Sequence, residues 1–305
     1  MLSFATLADF QYVYDCIETA YEAHLDAFEL QYGYLSEDDY NDMADQLGFA
    51  DEEPLIDFEQ AVGFTSYRAE MAALEDAFLA GGGDPANSPD GSNVFDDQVL
   101  ETMYNADGAV MIGGTVHYRA PDGSHIEFCS CSMYEQYLAD PTSVDLNDPC
   151  IGLQKTLYCS AQCDCCKSYQ VVSDFDTYSS NKKIVWTLRF EYDKVWVGLQ
   201  GGGFVWNHRS CAKIVHYKKV NGTWKRRRAD LLARTEGVYS DSNDGGYCKE
   251  PGLYFKEKAK RRKVLEAKNW YGAPYYVKTF RTGEAKGYWE YPNANYLNKT
   301  LQFPC

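Results

Sequence analysis

Cys159-Ser-Ala-Gln-Cys163-Asp-Cys165-Cys166 puts four cysteines within eight residues, at the point where the chain changes character. The spacing C-x3-C-x-C-C matches no common paired-ligand pattern of a zinc site. Adjacent Cys165 and Cys166 point in different directions, which suits one tetrahedral ion badly. The other reading is disulfides from this knot to the scattered Cys16, Cys129, Cys131, Cys150, Cys211, Cys248 and Cys305. Dense cysteine use goes with oxidising compartments, so secretion or an outer cell surface is expected. Each bridge would be a supplementary staple of about 2–4 kcal/mol. Eleven cysteines leave one over, and Cys305, the last residue, is the candidate for a free or intermolecular thiol.

Outward from the knot the two sides differ sharply. A chain of 305 residues is long enough for about two domains. Residues 1–150 hold 31 acidic side chains against only Arg68 and Arg119, a net of −29. Residues 151–305 hold 27 basic and 14 acidic side chains, a net of +13, and these halves account for the overall −16. No lysine precedes Lys155, and all six tryptophans (Trp186, Trp196, Trp206, Trp224, Trp270, Trp289) lie after it. No apolar run approaches the ~18 residues of a membrane span. The first ten residues lack a basic stretch and meet Asp9, so they do not read as a signal peptide. The disulfide reading therefore implies a leader that was removed or replaced by Met1.

On the acidic side, Leu7, Phe10, Tyr14, Ile17, Tyr21, Leu25 and Phe28 recur at helical steps and predict a helix over 7–33. Ser36 followed by Glu37, Asp38 and Asp39 predicts a second, ending at Gly48. A third is expected from Thr65 or Ser66 to about Leu79, stopped by Gly81-Gly82-Gly83. Residues 1–80 thus read as an acidic helical module, and 81–104 as a solvated linker. Within the linker, Asp90, Ser92, Asp96, Asp97 and Glu101 partly match a calcium loop, without its glycine at the sixth place. Residues 105–158 read as a small β or irregular segment. It has turns at Asp107-Gly108 and Asp122-Gly123 and a strand with a Gly113-Gly114 break. Cys129 and Cys131 share one face if extended.

The basic side, 159–305, reads as β-rich. Ile184, Trp186, Leu188, Phe190 and Tyr192 alternate with Val185, Thr187, Arg189 and Glu191. A turn is expected at Asp193-Lys194, with a further strand over 195–199. Asn221-Gly222 between two apolar runs predicts a hairpin. Residues 256–269 read as a basic, helical insertion, and 275–279 as strand in a loop-rich tail. The expected fold class is α+β: the acidic helical module, then a disulfide-stapled antiparallel sandwich or barrel.

Leu2-Ser3-Phe4, the Asn105 to Val116 run (Asn-x-Asp-Gly-x-Val-x-Ile-Gly-x-x-Val), and Lys218-Lys219, Trp224, Arg227 (or Arg226) and Ala229-Asp230 resemble uncharacterised secreted or lipid-anchored proteins of the Bacteroidetes. The resemblance spans most of the chain and departs from the group in its high cysteine content. It implies an envelope or extracellular location and carries over no catalytic residue.

Catalytic signatures are missing: there is no G-x-S-x-G, H-E-x-x-H or Walker A loop. His208 and His216 flank Cys211, which raises Cys–His catalysis against a plain disulfide at Cys211. His24 reads as a packed or surface helix residue; His117 and His125 are the remaining histidines. Lys225, Arg226, Arg227, Arg228, Lys260, Arg261, Arg262 and Lys263 form a candidate basic patch. A −29 module on the same chain disfavours nucleic acid and favours solvated faces. Trp270, Tyr271, Tyr275, Tyr276, Tyr288, Trp289 and Tyr291 are candidates for glycan stacking or an interface. These features point to a non-enzymatic extracellular structural protein that self-associates head to tail or binds another surface protein. A glycan-binding adhesin and a secreted hydrolase are the alternatives.

Overall fold

The protein is described here from a computed structural model, covering residues 1–95, 97–146, 148–153, 169–197, 203–241, 248–249, 257–261, 263–271, 280–290 and 297–303. It is α+β, with helices first and sheets dominating later. Two compact units divide it, Met1–Gln154 and Lys155–Cys305.

Unit 1 opens with a short strand, β1 (Ser3–Phe4), and helix α1 (Leu7–Tyr32). A reciprocal cap starts α1: Asp9 N donates to Thr6 Oγ1, and Thr6 N donates to Asp9 Oδ2. Phe10, Ile17, Leu25 and Phe28 of the expected stripe are buried, whereas Leu7 is exposed. Helix α2 (Glu37–Leu47) follows its Ser36 cap and ends at Gly48 as expected. Helix α3 (Glu53–Val62) was not legible: Glu52 makes no side-chain capping bond. Helix α4 (Tyr67–Ala80) is capped by Ser66.

Residues 81–104 are not an open linker. They form two 3-10 turns, Pro85–Asn87 and Pro89–Ser92, and helix α5 (Gln98–Met103). Val94, Phe95, Val99 and Met103 pack with Phe10, Ile17, Leu55 and Val110 into one core. Of the residues suggested for calcium, Asp97 and Glu101 serve this structure, and Asp96 lies outside the described residues. Asp97 caps α5 at Val99 N and Leu100 N and accepts from Tyr14 Oη, while Glu101 Oε1 accepts from Asn93 Nδ2. Burial, then the Asp97 charge, pushes the Tyr14 phenol far above its ordinary value.

Residues 105–153 hold β2 (Ala109–Ile112), β3 (Thr115–Arg119), β4 (His125–Phe128), helix α6 (Cys131–Ala139) and β5 (Ile151–Leu153). With β1 they make a five-stranded sheet in the order β1 to β5, parallel at β1–β2 and antiparallel elsewhere. The Gly-Gly break is the β2–β3 hairpin turn. Gly113 and Gly114 sit at φ 61° and 83°, left-handed values that a two-residue turn with native twist requires. Cys131 starts α6, so it does not share a strand face with Cys129.

The sheet carries apolar residues on both faces, because successive side chains alternate. Ala109, Val116, Tyr118, Ile126, Phe128 and Ile151 pack with Tyr134 of α6. Val110, on the other face, joins the helical core. Burial first, and then nearby Tyr137 and Asp107, pushes Tyr118 up to about 12. A phenol whose folded value is raised contributes stability that is full below the ordinary 10.0 and is lost as pH climbs towards 12. Unit 1 should therefore weaken across that alkaline window. Carbon-13 tyrosine NMR, assigned with Tyr118→Phe, would refute this if Tyr118 ionised near pH 10.

Unit 2 is built from strands: β6 (Tyr169–Ser179), β7 (Lys182–Val197), β8 (Gly203–Val220), β9 (Thr223–Arg226), β10 (Ala229–Asp241), β11 (Cys248–Lys249), β12 (Glu257–Arg261), β13 (Lys263–Tyr271), β14 (Phe280–Glu290) and β15 (Leu297–Phe303). One sheet runs β13-β8-β7-β6, with β9 also on β8. The other runs β11-β10-β14-β15, with β12 also on β10. The Asn221-Gly222 turn is present, Asn221 at φ 52° and Gly222 at φ 85°. Three expectations are corrected. Strand β7 runs unbroken through Asp193-Lys194, held by a continuous register to β8. Residues 257–261 and 263–271 are strands rather than helix. The tail pairs in a ladder, β14 with β15. The strand expected over 275–279 lies outside the described residues.

Two stretches link the sheets. β9 pairs with β8, and after Arg227-Arg228 the chain pairs as β10 with β12. β12 likewise leads into β13, which returns to β8. At the first corner His216, fully buried, accepts Arg227 N at its carbonyl, and its Nδ1 lies 3.0 Å from Arg227 O.

Candidate functional site

Turn Asp122-Gly123 decides which side chains meet on the helical-core face of β3 and β4. Asp122 Oδ1 accepts from Ser124 N, and Ala120 N donates to Ser124 O, which closes the hairpin. The resulting register sets His117 opposite Glu127 and Arg119 opposite His125. His125 and Glu127 are two apart on β4 and so share that face. His117 Nδ1 lies 3.5 Å from Glu127 Oε1, and the two imidazole rings are 5.5 Å apart. One ligand atom from each of His117, His125 and Glu127 lies within 4.8 Å of the others, and all three residues are half-buried. Among the described residues this is the one such convergence of three His, Cys, Asp or Glu groups.

Burial holds the His117 imidazole below its ordinary value, so it is neutral at neutral pH and its contact with Glu127 is not an ion pair. On the third strand Gly152 faces Glu127. A Cβ there would stand 2.9 Å from Glu127 Oε2 and 3.1 Å from its Cβ, so only glycine leaves that carboxylate its place. The disulfide Cys129–Cys150 fastens the strand after Glu127 to the one before Gly152. Two imidazoles and one carboxylate can hold a cation of intermediate softness or relay a proton.

The comparisons with known proteins come to little. No family matches the sequence, and no curated protein matches it. Among solved structures, a DUF4848 family protein from Bacteroides thetaiotaomicron is 10% identical, with 98% of this chain and 96% of that chain covered and a TM-score of 0.21. The variable domain of the AgI/II polypeptide BspA from Streptococcus agalactiae is 10% identical over 50% of this chain and 85% of that one, at a TM-score of 0.14. The first comes from the group that the sequence motifs resemble. Likeness of this degree carries no argument about this chain.

The sequence-predicted residues are scattered. Cys129 and Cys150 are bonded to each other, so the described staple lies in the acidic unit and not in the β-rich one. Cys16, exposed on α1, and Cys131, half-buried, are free thiols rather than disulfide partners. Cys129, the cysteine nearest Cys131 in sequence, is already taken by Cys150. Cys211 is buried in β8, and Cys248 lies in β11. Cys159, Cys163, Cys165, Cys166 and Cys305 lie outside the described residues. Cys211 stands five positions from His216 in a strand without a bulge, so these two side chains take opposite faces. His24 is packed: its ring stacks on Phe49 at 4.5 Å, and Nε2 lies 2.8 Å from Ala50 O.

The basic patch does not form one exposed surface. Lys225 is exposed, Arg226 and Arg227 are half-buried, and Arg228 is among the largest fully buried side chains. Lys260 and Arg261 are in β12 and Lys263 in β13; Arg262 lies outside the described residues. Trp270 and Tyr271 end β13, opposite His208 and Asn207, and Tyr288 and Trp289 sit in β14 opposite Asn298 and Leu297. They belong to ladders, not loops. Tyr275, Tyr276 and Tyr291 lie outside the described residues. Among the described residues no helix is long and apolar enough to cross a membrane.

Proposed function

We propose that this is a non-enzymatic extracellular or cell-surface structural protein whose copies associate head to tail, unit 1 of one against unit 2 of the next. The observation that carries the reading is where the charge changes sign. Residues 1–154, compact on their own, carry −29, and residues 155–305 carry +13. Such fields steer unlike faces together and keep like faces apart. A contact between two different faces of one chain is heterologous and propagates into a filament unless it closes into a ring. The Cys129–Cys150 bond supports an oxidising compartment. A sandwich or barrel closure of β6–β15 belongs to the same reading, supported by the two stretches that lead from one sheet to the other.

Sedimentation velocity of the full chain tests it. Association should be present at about 0.02 M salt and fall steeply towards about 0.5 M, as the Debye length shrinks from tens of ångströms to a few. A monomer at both ionic strengths would overturn the assembly reading.

A further inference from the structure

We propose that His117, His125 and Glu127 bind one divalent transition cation of zinc's class, with a fourth position left to a water or a group from outside the chain. Zinc bonds of about 2.0–2.1 Å at tetrahedral angles separate neighbouring ligand atoms by about 3.3–3.4 Å. The His117 Nδ1 to Glu127 Oε1 distance of 3.5 Å is already close to that edge. The widest separation in the trio, within 4.8 Å, closes by rotating the imidazoles about their side-chain bonds. Imidazole nitrogen selects zinc, copper, nickel or iron over calcium and magnesium, which take oxygen alone.

The scaffold suits a preorganised site. His117 and Glu127 are paired across a hairpin, whose register fixes which side chains face each other, and His125 lies two places from Glu127 on the same face. Gly152 keeps clear the space that Glu127 occupies, and the disulfide holds β4 and β5 in register behind it. Three protein ligands leave one position of a tetrahedral ion to another group, as in the open class of zinc site rather than the closed structural class. This inference stands apart from head-to-tail assembly, and assembly can fail without touching it.

The probes are zinc chloride by calorimetry and cobalt(II) by visible spectroscopy, on the full oxidised chain. One equivalent should bind, with cobalt showing d–d bands and no thiolate charge-transfer band. Glu127→Gln and the double variant His117→Ala/His125→Ala should each weaken binding by about 100-fold or more. Gly152→Ala, which touches no ligand atom covalently, should cost about 10–100-fold by displacing Glu127. Zinc should raise the thermal midpoint of the wild type and not that of the folded variants. Three results would overturn the site: no saturable binding by the wild type, binding unchanged in the folded variants, or a cobalt spectrum dominated by thiolate.

Discussion

Arg68→Ala should destabilise unit 1 by about 3–5 kcal/mol, the cost of leaving a buried carboxylate without its counter-charge. Arg68 and Glu59 are each 8% exposed. Arg68 Nε donates to Glu59 Oε1 at 2.9 Å, its Nη2 donates to Oε2, and Ser66 Oγ donates to Oε1. The same Ser66 accepts from Ala69 N to start α4, and Tyr67 N donates to Tyr104 O. Glu59 thus ties the end of α3 to the start of α4, and Ser66 in turn bridges to Asn105. Only two basic residues lie in this unit, and one of them is spent inside it. The double variant Glu59→Leu/Arg68→Met, with no charge left to orphan, should be far closer to neutral.

The measurement is clean because the two units carry different reporters. All six tryptophans belong to unit 2, whereas all six helices belong, among the described residues, to unit 1. Helical circular dichroism should show the urea midpoint moving down by about 2 M, for a slope of about 2 kcal/mol per molar. Tryptophan fluorescence should move little. A shift in both signals, or in neither, would reject the assignment of the ion pair to the stability of unit 1.

The second large effect is expected from Cys129→Ala/Cys150→Ala. The bond closes a loop with a sequence separation of 21, and chain entropy alone assigns it about 3 kcal/mol. The loss should appear in the same helical signal. It should be accompanied by weaker cation binding at Glu127, since Cys150 anchors the strand that carries Gly152. Non-reducing peptide mapping that joined Cys129 to any residue other than Cys150 would sink this prediction.

Much of the helical half was legible because its stop and start signals are local. Ser36 and Ser66 lie one residue before their helices, and Gly48 and Gly81 just after. Helix α3 has Pro54 in its first turn and Gly63 after its end, but no capping oxygen, and it escaped notice. Non-local pairing explains the larger error. Residues 256–269 are rich in Lys, Arg, Glu and Ala, which favour helix by themselves. Partner strands overrule them: Lys258 faces Leu232 and Leu265 faces Lys213. The histidine–carboxylate cluster was only partly within reach of the sequence. A symmetric two-residue turn at Asp122-Gly123 would pair His117 with Phe128, whereas the observed three-residue loop is centred on Asp122 and pairs His117 with Glu127. Either pairing needed 125–128 to be read as a strand, and four residues between a turn and a cysteine gave too short an alternation for it. The charge partition, by contrast, needed only counting, and the boundary between compact units falls within a few residues of where it changes.

The order of synthesis matters for a fold threaded in this way. Strand β8 receives its first neighbour, β7, from the chain just before it, but its other edge at positions 207–215 is covered by β13, which emerges much later. Until Tyr271 leaves the ribosome, those backbone donors and acceptors stand bare, and a second nascent chain can pair with them. A chain halted before β13 thus carries an open edge for aggregation at positions 207–215 of β8.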